Sequence, residues 1–263
     1  MPSSAEFAPF AEYSAFGLAG TSRSQPPAWM DENLPPAFTW LKSLAARYCH
    51  YKVCSTFDSS PFTGNIGRAM EIGMGVFGQA CVPLVVGAPQ LKRYTFAGNL
   101  FAGFQGETYR IDRHPVMSRH PVTPMNEADL RLHLARQTGL PVVLAGADWP
   151  ERGIAMLDVH DAGTQLAAGR RLLDLPHHAG PFVAGSSGVE YALVKALEAS
   201  GEIAGRAQFA PLPGVDRIMA VSGSVSATTE RQIRYSLANG LEGLAADPLA
   251  LAAIDMQRVS VAH

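Results

Sequence analysis

Short apolar runs alternating with stretches of helical spacing predict an α/β protein, with a mostly parallel sheet carrying helices on both faces and the start of a second α/β domain. Two further observations support that class. Loops of glycine, serine and other small polar residues follow several of the apolar runs, as they do at the carboxyl ends of parallel strands. At 263 residues and 47% hydrophobic content, the chain can also bury one large core and part of another, with a boundary near residue 212 separating 1–212 from 213–263.

Tyr13 to Ala19 reads as a short strand entering the polar turn Gly20, Thr21, Ser22, Arg23, Ser24. Ala37 to Tyr48 carries Phe38, Leu41, Leu44 and Ala45 near helical spacing, with Pro35 and Pro36 before or at its first turn. Tyr51 to Cys54 follows as a buried strand, then a polar loop through Gly67 and a helix over about Arg68 to Gly78. Gly73, Gly75 and Gly78 count against that helix, each costing about 1 kcal/mol relative to alanine in a helix interior. Val82 to Val86 is the next strand, and Pro89 to Gly106 reads as a β-hairpin with turns at Gly98 and Gly103. His114 to Pro124 is proline-rich and irregular, and a helix runs over about Glu127 to Gln137.

Strand-then-helix units recur at Pro141 to Ala145, at Ile154 to Val159 with a helix through Leu166 and Leu172, and at Phe182 to Ala184 with a helix over Val189 to Ala199. Gly205 to Gly214 reads as a linker. Arg217 to Val221 then predicts a strand and Thr229 to Ala238 a helix.

The formal charge of −2 comes without a basic block or basic-aromatic interleaving, which excludes nucleic acid as the expected partner and favours small molecules. No run reaches the eighteen or so apolar residues of a membrane span, and Met1 to Phe10 lacks the pattern of a secretory signal, so the cytoplasm is the expected compartment. Cys49, Cys54 and Cys81 have no CxxC spacing and read as reduced structural thiols.

Three loops are candidates for chemistry. Ser55, Thr56, Phe57, Asp58, Ser59, then Gly64, Asn65, Ile66 and Gly67, combine hydroxyls and a carboxylate able to grip a polyhydroxy acid with glycines that admit close backbone approach. Gly185, Ser186, Ser187 and Gly188 precede a helix, where backbone N–H groups favour a carboxylate or phosphate and a serine cap would equally account for them. Ser222, Gly223, Ser224, Val225 and Ser226 lead into Thr229 and Gln232, which have capping-box spacing, with no lysine where a P-loop requires one. Arg23 and Arg93 are the cations whose guanidinium could pair with a carboxylate at two points. His114 and His120 lie six apart without a carboxylate arrangement that specifies a metal, and read as structural or exposed histidines.

Lys52, Ser55, Thr56, Asp58, Ser59, Gly64, Asn65, Ile66 and Gly67 together resemble a signature of the four-carbon acid sugar kinase family, DUF1537, of threonate/erythronate kinase-like proteins. Ser60 to Thr63 departs from the shorter or basic connection common there. Pro89, Arg93, Phe96, Gly98 and Gly103, the run His120 to Met125, Gly185, Ser186 and Gly188, and Ser222 to Ser226 with Thr229 and Gln232 match that family in order and approximate spacing. The resemblance implies ATP-dependent phosphorylation of a four-carbon sugar acid, with ATP and Mg²⁺ as cofactors. It gives Asp58, Ser59, Asn65 and Arg93 to the sugar acid, with Arg23 added for its guanidinium, and Ser222, Ser224 and Ser226 to the nucleotide. It further implies an internal fragment: 1–212 as a sugar-acid-binding domain without the family's opening strand and Asp-Asp loop, and 213–263 as the beginning of a nucleotide-binding domain. On that basis transfer activity is expected to be impaired in this chain alone. The rival expectation is a non-catalytic sugar-acid-binding or interaction protein, of the kind labelled type III effector-like in some relatives. An open sheet edge covered by a second subunit is a further expectation.

Overall fold

A computed structural model describes residues 4–205, 209–224 and 226–247. Parts of the expected linker (206–208), third loop (225) and second domain (248–263) lie outside the described residues. The chain divides into two compact units, Met1–Ala207 and Gln208–His263.

The first unit is an α/β layer structure. After a one-turn helix α1 (Ser4–Phe7) come α2 (Pro27–Ser43), β1 (Cys49–Lys52), α3 (Ile66–Phe77) and β2 (Cys81–Val85). A small antiparallel sheet of β3 (Arg93–Phe96), β4 (Asn99–Phe104) and β5 (Glu107–Arg110) follows, then α4 (Leu130–Leu134) and β6 (Val142–Leu144). The unit closes with β7 (Gly153–Leu157), α5 (Ala162–Leu173), β8 (Phe182–Gly185) and α6 (Gly188–Ser200). The main sheet runs in the order β1-β8-β2-β7-β6, and its pairs are parallel.

Its three central strands, β8, β2 and β7, are buried on both sides, and the period-2 alternation of side chains distributes them between two cores. Val82 and Leu84 of β2, Ile154 and Met156 of β7, and Phe182 and Ala184 of β8 face α2 and α3, with Met30, Leu34, Phe38 and Met70. The intervening Val85, Leu157 and Val183 pack instead against Ala168, Leu172, Val189 and Ala192 of α5 and α6. Helices therefore cover both faces.

Several elements differ from the sequence expectation. Tyr13 to Ala19 is exposed and forms no strand; without a paired neighbour an apolar segment gains no ladder. Helix α2 begins ten residues earlier than expected, with Pro27 in its first turn and Pro35 and Pro36 inside it. The hydrogen bonds those two prolines cannot donate would have gone to the carbonyls of Asp31 and Glu32, both exposed residues that water can serve, while Met30, Leu34 and Phe38 supply the buried stripe. In α3 the glycines are compatible with the helix: a Cβ on Gly73 would stand 2.2 Å from the Phe182 ring, and Gly78 ends the helix in the left-handed region.

The expected hairpin is a three-stranded sheet. Gly103 lies within β4 beside Lys92, and the turns fall at Ala97–Gly98 and Gln105–Gly106. The expected helix over Glu127 to Gln137 shrinks to α4, because Asp129 caps it by accepting from the Arg131 N–H. In the second unit, Arg217 to Val221 is exposed and forms no strand, with no partner strand among the described residues of that unit; α7 (Ala227–Ala238) is capped by Ser226, which accepts from the Thr229 N–H at 3.1 Å.

Candidate functional site

The ends of β1, β8 and β2 lie level, since Lys52 pairs with Gly185 and Gly185 with Val85. Polar loops leave the sheet there side by side. In parallel α/β sheets this rim is where ligands bind.

Asp58 is the centre of the first loop. Its side chain is fully buried, and it accepts from the Thr56 hydroxyl, from Thr123 Oγ1 at 3.0 Å and from Arg23 Nη2 at 2.8 Å. Burial alone would push this carboxyl up, but the Thr56 hydrogen bond, the Arg23 charge and the Thr123 hydroxyl outweigh it and hold Asp58 below the ordinary aspartate value. It is therefore an ionised, acceptor-only group at neutral pH. The Arg23 side chain is 58% exposed, so most of its guanidinium remains open to a ligand.

Local backbone geometry aims these groups. Phe57, fully buried between Thr56 and Asp58, has φ +55, in the left-handed region that costs a non-glycine residue about 1–3 kcal/mol. Its ring packs edge-on at 6.0 Å from that of His133. Arg23 is placed by Gly64, whose N–H donates to the Gln25 carbonyl at 2.9 Å and whose missing side chain would sit 2.4 Å from the Arg23 carbonyl oxygen.

Ser59 and Asn65 are engaged by the protein itself. Ser59 Oγ hydrogen-bonds the Phe57 carbonyl, His133 Nε2 at 2.8 Å and Gln137 Nε2 at 2.9 Å, all buried. Gln137 Oε1 in turn accepts from the Ile66 and Gly67 N–H groups, tying α4 to the start of α3. Asn65 caps α3 by accepting from the Arg68 N–H at 2.7 Å and donates to the Pro61 carbonyl. Burial and the neighbouring Arg136 charge push His133 down to about 4.

Arg93 opens β3, directly after Lys92, which is itself left-handed at φ +55. Its Nη1 donates to the carbonyls of Leu91, Lys92 and Gly103, and its buried Nε has no partner. Burial draws its guanidinium below the ordinary value, countered by the Cys54 side chain; the same Cys54 lies in electrostatic reach of Arg23. Arg23, paired with Asp58, and Arg93 thus share the Cys54 side chain as an electrostatic neighbour. Thr56, Thr123 and His120, whose Nδ1 accepts from the Thr123 N–H, belong to the same cluster. Sequence reasoning quoted Thr56 and Thr123 only within motifs and set His120 aside. Thr56 lies two positions from Asp58, whereas the Thr123 bond to Asp58 spans sixty-five positions, a contact that no local pattern contains.

The second loop is occupied by packing. Ser186 Oγ donates to the Val86 carbonyl at 2.6 Å and accepts from the Gly188 N–H, while a Cβ on Gly188 would lie 2.2 Å from the Gly87 carbonyl oxygen. In the second unit, Ser224 and Ser226 are exposed and hydrogen-bonded to each other and to Thr229 at the start of α7; Ser222 is exposed before them. Among the described residues no three His, Cys, Asp or Glu side chains converge as a metal site, and no helix is long and apolar enough to cross a membrane.

Comparison with known proteins gives this geometry a setting. A family model described as a sugar-binding N-terminal domain matches residues 3–193. The 3-oxo-isoapionate kinase of Paraburkholderia graminis is 46% identical over 246 residues, covering 88% of this chain and 52% of its own length. The 3-oxo-tetronate kinase of Burkholderia multivorans is 30% identical, covering 83% of this chain and 53% of its own. The chain thus spans about half the length of the curated relatives it matches. Among solved structures, a DUF1537 protein of Haemophilus influenzae superimposes with a TM-score of 0.61 at 25% identity, over 82% of this chain and 53% of that one. A Bordetella bronchiseptica DUF1537 protein, solved as a domain-swapped dimer, shares the fold at a TM-score of 0.53 and 18% identity, over 70% of this chain and 44% of that one.

Proposed function

This chain belongs to the four-carbon acid sugar kinase family, and from that membership we propose that it binds the acceptor in ATP-dependent phosphorylation of a sugar acid. The observation that supports the reading is that Arg23, paired with the ionised Asp58, and Arg93 both lie in electrostatic reach of Cys54 at the start of that loop. Two guanidinium groups suit the acid's carboxylate. Asp58, its side chain buried, serves to orient Arg23 and to fix the loop through its bonds to Thr56, Thr123 and Arg23. The first substrates to try are 3-oxo sugar acids, as named for the 46% and 30% identical relatives, beside threonate and erythronate.

Phosphoryl transfer relies on positioning and on neutralising charge at the phosphates. The acceptor residues named here supply positioning. Ser222, Ser224, Ser226 and the first N–H groups of α7 are proposed to meet the nucleotide's phosphates. Mg²⁺ would enter with ATP, held largely by phosphate oxygens and water, which does not require a three-residue cage from the protein.

Calorimetry of the purified chain with the 3-oxo acids, threonate and erythronate tests the pocket. Binding that weakens at least about 10-fold in Arg23→Ala and in Arg93→Ala is expected, from the loss of charged hydrogen bonds. No heat with any of these acids overturns the reading. ADP release on adding ATP and the bound acid tests whether this chain also transfers phosphate.

A further inference from the structure

His114 is 3% exposed, and its hydrogen bonds fix which nitrogen carries the proton. Nδ1 accepts from the N–H groups of both Val116 and Met117, at 3.2 Å each. Two donors aimed at Nδ1 require its lone pair, so the proton sits on Nε2. That Nε2–H is buried and has no acceptor in the protein. Burial and the nearby Arg93 charge both push the His114 imidazole down, consistent with a neutral ring.

Arg93 presents a second donor of the same kind, its buried and unpartnered Nε–H. The two side chains share one neighbourhood. Arg93 pairs with Ala102 across β3 and β4, Ala102 pairs with Tyr109 of β5, and the His114 ring packs 6.0 Å from Tyr109 and 5.3 Å from Phe104. A buried N–H without an acceptor costs about 1–3 kcal/mol, and more where charge is involved, so two in one place call for an oxygen from outside the protein.

We infer that Arg93 Nε–H and His114 Nε2–H form a donor pair for the carboxylate of the sugar acid, which makes His114 a substrate-binding residue. This rests on the sugar-acid reading above. An anionic oxygen fits better than a hydroxyl, because one donor is cationic, neither has a competing acceptor and both are withdrawn from water. The neutral imidazole adds a directed hydrogen bond without adding charge beside Arg93.

Two substitutions separate the two ring nitrogens. His114→Asn leaves an amide oxygen near the Nδ1 position, able to accept from Val116 and Met117, and removes the outer donor. His114→Gln does the reverse. With erythronate and the 3-oxo acids, His114→Asn is expected to weaken binding about 10- to 100-fold while melting near the wild type. His114→Gln is expected to melt lower yet keep more of the affinity. Erythritol, which has no carboxylate, should not distinguish His114→Asn from the wild type. In the unsubstituted protein, the ¹⁵N-attached Nε2 proton of His114 should move downfield as the acid is added. Wild-type affinity in His114→Asn, the opposite order of the two variants, or an unmoved His114 resonance while calorimetry records binding would each overturn this assignment and leave the sugar-acid reading standing. A wild-type chain that binds none of the acids sinks both.

Discussion

The Arg23–Asp58 pair is asymmetric, and its asymmetry predicts which partner matters more for stability. Asp58 is fully buried whereas Arg23 is 58% exposed. Removing the arginine strands a buried carboxylate with hydroxyl donors alone; neutralising the aspartate leaves a guanidinium that water can solvate. Arg23→Ala should therefore destabilise the protein at pH 7 by about 1–2 kcal/mol, more than Asp58→Asn does. Urea titrations of both variants at pH 7 measure this, and a larger loss in Asp58→Asn would contradict it. Both residues were legible in the sequence, because a carboxylate in a hydroxyl-rich loop and an arginine in a polar turn are visible as residue types. The left-handed Phe57 was not legible, since nothing about a phenylalanine signals φ +55. His114, read as structural or exposed, is buried with Nδ1 satisfied and Nε2 without a partner, a difference between two nitrogens that no residue type signals.

At the scale of elements, the parallel strands and their helices were legible because the central strands β2, β7 and β8 are apolar on both faces and the helices packed on them carry apolar stripes. What escaped local reading was set by tertiary partners. The prolines of α2 are tolerated because the carbonyls they leave free face water, and Gly73 because Phe182 fills the space a side chain would need. Gly64 is the case with functional weight. At φ +62, and with its Cβ position 2.4 Å from the Arg23 carbonyl, it lets the turn bearing Arg23 lie against the loop bearing Asp58. Gly64→Ala should cost about 1–3 kcal/mol in backbone strain and also displace Arg23, so that sugar-acid affinity falls together with the melting temperature. An alanine variant with unchanged melting and unchanged affinity would show that the two segments are not held this way. Gly75, with open space around its Cβ position, is the internal control.

For the first unit as a whole, the buried polar groups imply a stability that depends on pH in two separate windows. His133 has a folded value of about 4 against an ordinary 6.5. Its Nε2 faces the Ser59 hydroxyl and the donating Gln137 amide, so a proton there would oppose a donor inside the network joining α4, α3 and the Asp58 loop. With the folded value depressed, the unfolded chain binds the proton first. The neutral-His contribution is complete above about 6.5 and is lost progressively as pH falls to about 4, amounting to about 3 kcal/mol. Asp58, also depressed, acts in the next window: its contribution is present above the ordinary aspartate value of 3.8 and is lost only as pH falls further, through its folded value. Unfolding free energy measured by urea titration should therefore decline between pH 6.5 and 4 in the wild type. His133→Leu should make that decline shallower, leaving the share of His114, whose imidazole is also held down, and Ser59 and Gln137 can still bond each other at 2.9 Å in the variant; the loss below pH 4 should remain. If the variant retains the full slope between pH 6.5 and 4, the acid sensitivity does not arise from His133.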